Sequence, residues 1–171
     1  MKITLRNIQK EEAEQFREIR LEGLLNDPGA FSSSYEEDVH KSVDYFKERI
    51  GDTEDYYIVG AYDENDRLVG TAGFLRESKL KLRHKATIWG VFVSPGWRNQ
   101  GIGKQLMEEI ISRSRRLANL TQINLTVMLS NDAATRLYES LGFQTFGIEK
   151  NALRMNDVFY DETLMTLHLR A

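Results

Sequence analysis

Residues 91–104 read VFVSPGWRNQGIGK, an apolar run followed by a polar loop that holds Gly101 and Gly103. The apolar run predicts a buried strand, and the helical spacing of the apolar residues after the loop predicts a helix. At such a junction, backbone N–H groups without helical partners and the positive end of the helix dipole together favour an anion. Glycines let the backbone approach a phosphate closely. On spacing alone, a tight turn without any ligand explains the two glycines equally well.

Two other kinds of phosphate-binding loop are excluded by the residues around these glycines. The P-loop of nucleoside triphosphatases requires glycine where this chain has Arg98, and serine or threonine where it has Gln105. The dinucleotide-binding fingerprint requires glycine or alanine at the position of Leu106. It also requires an acidic residue about 20 positions further on, where the chain has Thr121 and Gln122.

The composition fits one compact domain over residues 1–171, because 41% of the residues are apolar and no repeat or linker interrupts them. The sequence contains no cysteine, which excludes disulfides, thiolate metal ligands and a cysteine nucleophile. His40, His84 and His168 are too scattered to predict a metal site. A formal charge of −3 argues against a nucleic-acid partner, and we interpret the basic run over residues 79–85 as a solvated loop.

No apolar run approaches the ~20 residues that span a bilayer. Charged residues also interrupt the first segment, residues 1–6, which therefore does not read as a secretory signal. We expect a cytoplasmic protein without a membrane partner.

Hydrophobic periodicity divides the chain into strands and helices. Strands are expected at residues 3–8, 56–62, 68–75, 86–93 and 123–127, and in two further runs around a turn at Asn156-Asp157. Helices are expected over residues 11–25 and 43–50, from Ile102 onward, and between Asn131 and Gly142. The strand, helix and strand that follow residue 86 imply a parallel crossover.

Two of these segments resemble motifs of the GNAT superfamily of N-acetyltransferases. The stretch from Val93 to Lys104, with its Arg-x-x-Gly-x-Gly core, resembles the cofactor motif, and residues 131–143, NDAATRLYESLGF, resemble the second motif. Both occur in the family's order and spacing. The resemblance implies an α/β fold with a mixed, mostly antiparallel sheet of about seven strands and about four flanking helices, whose central parallel strand pair is splayed to hold CoA.

The resemblance also implies acetyl-CoA as co-substrate and no metal. The pyrophosphate is expected on the backbone amides of the glycine loop, and the pantetheine arm along the preceding strand. The implied cofactor-binding residues are Val91, Phe92, Val93, Arg98, Asn99, Gln100, Gly101, Ile102, Gly103, Lys104 and Asn131. Asn131 is equally well explained as the N-cap of a helix.

Tyr138 is the one catalytic residue that the resemblance implies. Its hydroxyl is expected to protonate the departing CoA thiolate, and a phenol of pKa ~10 is close enough to a thiol of pKa ~8.5 for that transfer. Its helical spacing from Ala134 and Leu141 is also typical of core packing, so periodicity does not demonstrate catalysis. We assign no role to Trp89 or Trp97.

The general base is not predicted by the resemblance. Many relatives hold a glutamate on the strand before the glycine loop, but residues 86–90 contain no acid. The candidates are Glu36 and Glu37 in a loop between two helices, and Asp161 and Glu162 near the C-terminus; the first pair is slightly favoured.

The resulting prediction is direct transfer of acetyl from acetyl-CoA to a primary amine of a small molecule or a peptide N-terminus. The alternative is a non-catalytic acyl-CoA sensor or interaction module in which Tyr138 only packs. The sequence leaves open the acceptor, the preferred acyl chain and the oligomeric state, a homodimer included.

Overall fold

A computed structural model describes residues 2–170 and contains one mixed sheet of eight strands. The strands are β1 Thr4–Asn7, β2 Asp52–Thr53, β3 Tyr56–Tyr62, β4 Leu68–Arg76, β5 Lys85–Val93, β6 Gln122–Met128, β7 Gln144–Met155 and β8 Val158–His168. The helices are α1 Ala13–Asn26, α2 Tyr35–Asp38, α3 Val43–Glu48, α4 Ile102–Ser114 and α5 Asp132–Ser140. The strand order is β1-β3-β4-β5-β6-β8-β7, with β2 paired to β3.

The predicted fold class is confirmed, with one strand and one helix more than expected. The additional elements are β2, of two residues, and α2, of four. Neither is long enough to establish a period of two or of 3.6 residues, so hydrophobic spacing does not reveal them. No helix within residues 2–170 has the length and apolar character needed to cross a membrane.

The sheet separates two apolar layers, and β3 shows how one strand serves both. Tyr57, Val59 and Ala61 are buried in the layer beneath α4 and α5. Ile58 and Tyr62 are buried in the opposite layer, beneath α1 and α3. Because successive side chains of a strand point to opposite faces, a strand covered on both sides is apolar throughout.

The parallel pair β5 and β6 is joined at only three positions, from Lys85 opposite Gln122 to Thr87 opposite Asn124. Beyond them the two strands part, although β6 stays paired with β8 along its whole length. On its other edge, β5 stays paired with β4 through a bulge that contains Gly90, whose φ is +61°. An opening therefore lies between the C-terminal halves of β5 and β6.

The last two strands form a hairpin with the predicted two-residue turn. Asn156 and Asp157 both have positive φ, +50° and +62°, which is the conformation of the type I′ turn that matches the twist of a hairpin. The outer strand β7 leaves Phe146 and Ile148 exposed.

Gly73 in β4 accommodates the indole of Trp89 in β5. A β-carbon at Gly73 would lie 2.3 Å from Trp89 Cε2. We expect Gly73→Ala to displace the indole and lower the free energy of unfolding by about 1–3 kcal/mol, measured by denaturant titration. Gly147→Ala is the control, because its added β-carbon would meet Leu164 at an ordinary 3.5 Å. Equal stability of the two variants would contradict the expectation.

Candidate active site

The loop that leads into α4 presents backbone amides without acceptors. Asn99 and Gly101 have positive φ, +61° and +77°. After Arg98, the first backbone amide that donates to a backbone oxygen is that of Gln105, which donates to Gly101 O at 3.0 Å. Within residues 2–170 the amides of Asn99, Gln100 and Gly101 donate to no backbone or side-chain acceptor. The next three amides open the helix and have no helical partner. The arrangement is suited to an anion.

Most of the apolar side chains around this loop are packed in the hydrophobic core. Val91 and Val93 pack on the α4 side of the sheet, whereas Phe92 is buried on the opposite side. Ile102 is buried at the start of α4. These four residues therefore offer mainly their backbone to anything bound in the opening.

Arg98 points its side chain back into the protein. Its Nε donates to Val93 O at 2.9 Å, and its Nη2 donates to Asp27 Oδ2 at 2.7 Å. A second contact joins the same regions, from Ser94 Oγ to Glu22 Oε2 at 2.7 Å. Asp27 and Glu22 were missed by sequence reasoning, because contacts between residues 71 or 72 positions apart leave no local pattern. The pyrophosphate contact of Arg98 stays a prediction.

The two sequence motifs meet at Gly103. A β-carbon on Gly103 would lie 3.6 Å from Leu137 Cδ2 in α5 and 3.9 Å from Val93 Cγ2 in β5. The strand end, the start of α4 and helix α5 therefore converge at one point. Asn131 begins α5 as its N-cap, with Oδ1 accepting from Ala134 N at 3.1 Å. Its contact with a pantetheine arm stays a prediction.

Tyr138 lies on the buried face of α5, 7% exposed, with its ring edge-to-face against Phe143 at 6.0 Å between centroids. Burial raises the pKa of Tyr138 to about 12, so the phenol is neutral throughout the physiological range. Within residues 2–170 the Tyr138 hydroxyl makes no hydrogen bond, and it is not among the fully buried polar atoms that lack a partner, so its oxygen is accessible from outside the core. The position allows both core packing and proton donation.

Two of the candidate bases are held by hydrogen bonds that favour their ionised form. The Glu37 carboxylate accepts from Ser34 N at 2.8 Å, which lowers the pKa of Glu37. The Asp161 carboxylate accepts from Asn151 N and from Lys150 Nζ, which lowers the pKa of Asp161. Both are consequently weaker bases than an ordinary carboxylate. Asp161 also lines a cavity of about 260 Å³ just beyond the end of β6.

Comparison with known sequences gives the chain its family. The profile described as "Acetyltransferase (GNAT) family" matches residues 12–143. The chain belongs to the GNAT family. This confirms the resemblance on which the sequence predictions rest.

Two relatives from Escherichia coli strain K12 are named for different acceptors. [Ribosomal protein bS18]-alanine N-acetyltransferase is 36% identical over 83 residues, which cover 48% of this chain and 55% of that enzyme. The chain thus matches about half the length of that relative. L-amino acid N-acetyltransferase AaaT is 27% identical over 126 residues, 74% of this chain and 76% of that enzyme.

Solved GNAT structures share the whole fold. An acetyltransferase of the GNAT family from Streptococcus pneumoniae superposes with a TM-score of 0.87 at 19% identity, over 98% of this chain and 99% of that one. A phosphinothricin acetyltransferase from Sinorhizobium meliloti, solved in complex with acetyl-CoA, gives 0.79 at 24% identity, over 98% and 89%.

The ion pair of Arg98 with Asp27 predicts that the two residues act together on the GNAT loop. We expect Arg98→Ala and Asp27→Asn each to raise the KM for acetyl-CoA roughly 1.5- to 5-fold, the range for a half-exposed charged contact, with a smaller effect on kcat. Asp157→Asn, which breaks an exposed ion pair with Arg154 at the turn between β7 and β8, is the control. If Asp27→Asn leaves the KM unchanged while Arg98→Ala raises it, the guanidinium contacts the cofactor directly.

Gly103 provides a second test of the loop, because the protein itself has room for a β-carbon there. Gly103→Ala should keep its melting temperature and lose affinity for acetyl-CoA in a calorimetric titration, since the methyl group obstructs the approach of a phosphate. Gly96→Ala is the matched control, because its added β-carbon meets no atom within 4 Å. Unchanged affinity in a folded Gly103→Ala variant would place the pyrophosphate elsewhere.

Proposed function

We propose that this chain is an acetyl-CoA-dependent N-acetyltransferase that moves the acetyl group directly to a primary amine. The observation that carries the proposal is that the free amides before α4 adjoin the edge of β5 that has parted from β6. Family membership and the activities named for the two relatives support the same reaction. Direct transfer also suits a chain without cysteine, which has no thiol to carry the acetyl group.

The residues present fit acetyl-CoA at both its charged end and its extended arm. The amides from Asn99 to Lys104 would hold the pyrophosphate at the positive end of α4. The open edge of β5 from Val91 to Val93 would pair with the amide groups of the pantetheine arm, as an added strand does. Asn131 would contact the same arm from the start of α5. When bound, acetyl-CoA supplies an acetyl thioester whose sulfur leaves as a thiol.

Tyr138 is the proposed proton donor to that sulfur. Its raised pKa of about 12 keeps the phenol protonated and ready to donate. The same burial that raises the pKa of a phenol also raises the pKa of a thiol in the same dry opening. The two groups therefore remain near enough in proton affinity for transfer along a hydrogen bond.

The acceptor amine must lose a proton to attack, because an alkylamine of pKa ~10.4 is only about 0.04% neutral at pH 7. A carboxylate, or a water held by one, is the proposed acceptor of that proton. The side-chain carboxylates of Glu36 and Glu162 accept no hydrogen bond from a side chain or a backbone amide in the part of the chain that the structure describes. They are therefore better candidates than Glu37 and Asp161, whose pKa values are lowered.

The reaction is tested by incubating the protein with acetyl-CoA and a panel of primary amines and measuring CoA release. A calorimetric titration with acetyl-CoA runs alongside it. Binding together with amine-dependent release supports the proposal. Binding without release over the whole panel would favour the acyl-CoA sensor.

Tyr138→Phe separates proton donation from packing, because it removes one oxygen and keeps the ring. If Tyr138 donates the proton, the Tyr138→Phe variant should have a kcat lowered about 10²- to 10⁴-fold and a nearly unchanged affinity for acetyl-CoA. Tyr57→Phe is a matched control. Tyr57 is also a buried tyrosine whose pKa is raised to about 12, and it lies on β3, away from the parted strands.

The measurement is kcat at saturating acetyl-CoA, with a melting curve to confirm folding and a pre-steady-state check that chemistry limits turnover. Under those conditions, a Tyr138→Phe variant that keeps kcat within about threefold of the parent would contradict proton donation and leave Tyr138 with a packing role only.

A further inference from the structure

The guanidinium of Arg20 lies beside the bulge of β5, at the opening between the parted strands. Arg20 is on α1 and is 7% exposed. Its Nη1 is 3.4 Å from the point that a β-carbon of Gly90 would occupy. The face of Phe31 covers the guanidinium at 4.4 Å from the ring centroid. A charged group is thus held next to the backbone that borders the candidate active site.

The hydrogen bonds of Arg20 are incomplete. Nη2 donates to Ser33 Oγ at 3.2 Å, but Nε is buried without a partner and lies 3.9 Å from the nearest Asp38 oxygen. Asp38 is instead bonded by Lys41 Nζ at 2.8 Å and by Ser33 Oγ at 3.1 Å. Within residues 2–170, Nη1 of Arg20 donates no hydrogen bond. The neighbouring acid is therefore shared, and Arg20 keeps donors unused.

Positive charge exceeds negative charge around this guanidinium. Asp38 is the buried acid that faces Arg20, whereas Lys41 and Arg49 add two further cations to the cluster. Burial, with a smaller contribution from the charge of Arg49, lowers the pKa of Arg20 to about 10. Holding an incompletely paired cation away from water is costly unless another anion completes the pairing.

Aromatic side chains and the free part of β5 lie close to the site of such an anion. The Arg49 guanidinium lies 5.8 Å from the centroid of Trp89 and 5.6 Å from that of Tyr45. Gly90 itself is three residues beyond Thr87, where pairing with β6 ends. An anion bound to Arg20 would therefore lie against α1, close to the part of β5 that borders the opening.

We propose that Arg20 binds the carboxylate of the acceptor, and that the acceptor is a small amino carboxylate such as a free α-amino acid. The assignment rests on the proposed N-acetyltransferase function and selects its substrate class. A carboxylate is the planar anion that a guanidinium fork matches best. At the N-terminus of a longer peptide the corresponding carbonyl is an uncharged amide, which leaves Arg20 unpaired.

The test compares two acceptors that differ only in this group, an α-amino acid and its carboxamide, at saturating acetyl-CoA. We expect the wild-type kcat/KM to be roughly 10- to 100-fold higher for the carboxylate, the range for a lost hydrogen-bonded charge contact. The amine of the carboxamide is the less basic of the two and is more often neutral, so the comparison is biased against the proposal.

Arg20→Gln should remove the preference by lowering kcat/KM for the amino acid only, with the carboxamide rate and the KM for acetyl-CoA within about threefold of wild type. Arg20→Lys, which keeps the charge without the fork, should retain part of the preference. Arg17→Gln is the matched control. It removes the same charge one turn earlier on α1, where Arg17 bonds to the carbonyl oxygens of Val39 and Lys41, and it should leave the preference intact.

The outcomes separate this proposal from the function on which it rests. Equal wild-type rates with the amino acid and its carboxamide overturn the carboxylate site and leave the N-acetyltransferase in place. An Arg20→Gln variant that keeps the full preference also overturns it. Absence of turnover with every amine contradicts the function and the acceptor site together. Where Arg20→Gln does not fold, the wild-type comparison still tests the carboxylate preference, and Arg20→Lys tests its assignment to Arg20.

Discussion

The early end of pairing between β5 and β6 is the constraint on which the rest of the structure depends. A strand edge that loses its partner exposes backbone donors and acceptors, and these must find another partner or water. Here each strand remains anchored on its other edge, β5 to β4 and β6 to β8. The sheet can therefore open in its middle without losing its continuity. Helices α4 and α5 both begin beyond the C-terminal ends of these strands, the side of a parallel pair where ligands usually bind.

Helix α1 contacts the segment from β5 into the glycine loop at several successive positions. Arg20 lies beside Gly90, Glu22 bonds to Ser94, and Asp27 bonds to Arg98. Residue numbers therefore rise in the same direction along α1 and along the segment from β5 into the glycine loop, so the two segments run side by side. Helix α1 and the residue that follows it, Asp27, thus carry contacts of both the cofactor loop and the proposed acceptor site, which links the positions of the two.

Sequence reasoning recovered the elements that have a clear period. The boundaries of β3 were predicted without error, and those of β4 and β5 to within one residue, because long apolar runs between turn residues leave little ambiguity. The turn at Asn156-Asp157 followed from residue types that tolerate positive φ. The glycine loop was located by its spacing and by its resemblance to the family motif.

Side-chain roles at the site were less accessible from the sequence. Nothing local predicts that the Arg98 guanidinium pairs with the Asp27 carboxylate rather than with a bound phosphate, since the two residues are 71 positions apart. Arg20 lies on an amphipathic helix, where arginine is ordinarily solvated, so its burial depends on how α2 and the loop before it fold over α1. The sequence slightly favoured Glu36 and Glu37 over Asp161 and Glu162, but the members of each pair could not be separated until the hydrogen bonds of Glu37 and Asp161 were known.

The placement of the two tryptophans has a practical consequence. Trp89 adjoins Gly90 and the Arg49 guanidinium, and Trp97 adjoins Arg98 in the loop. These are the only two indoles in the chain, and they flank the segment from Gly90 to Gly96, where β5 borders the opening and runs into the loop. The intrinsic fluorescence of the protein, excited where tyrosine does not absorb, therefore originates from indoles that adjoin the segment bordering the opening, and the natural protein carries its own optical reporter of that segment.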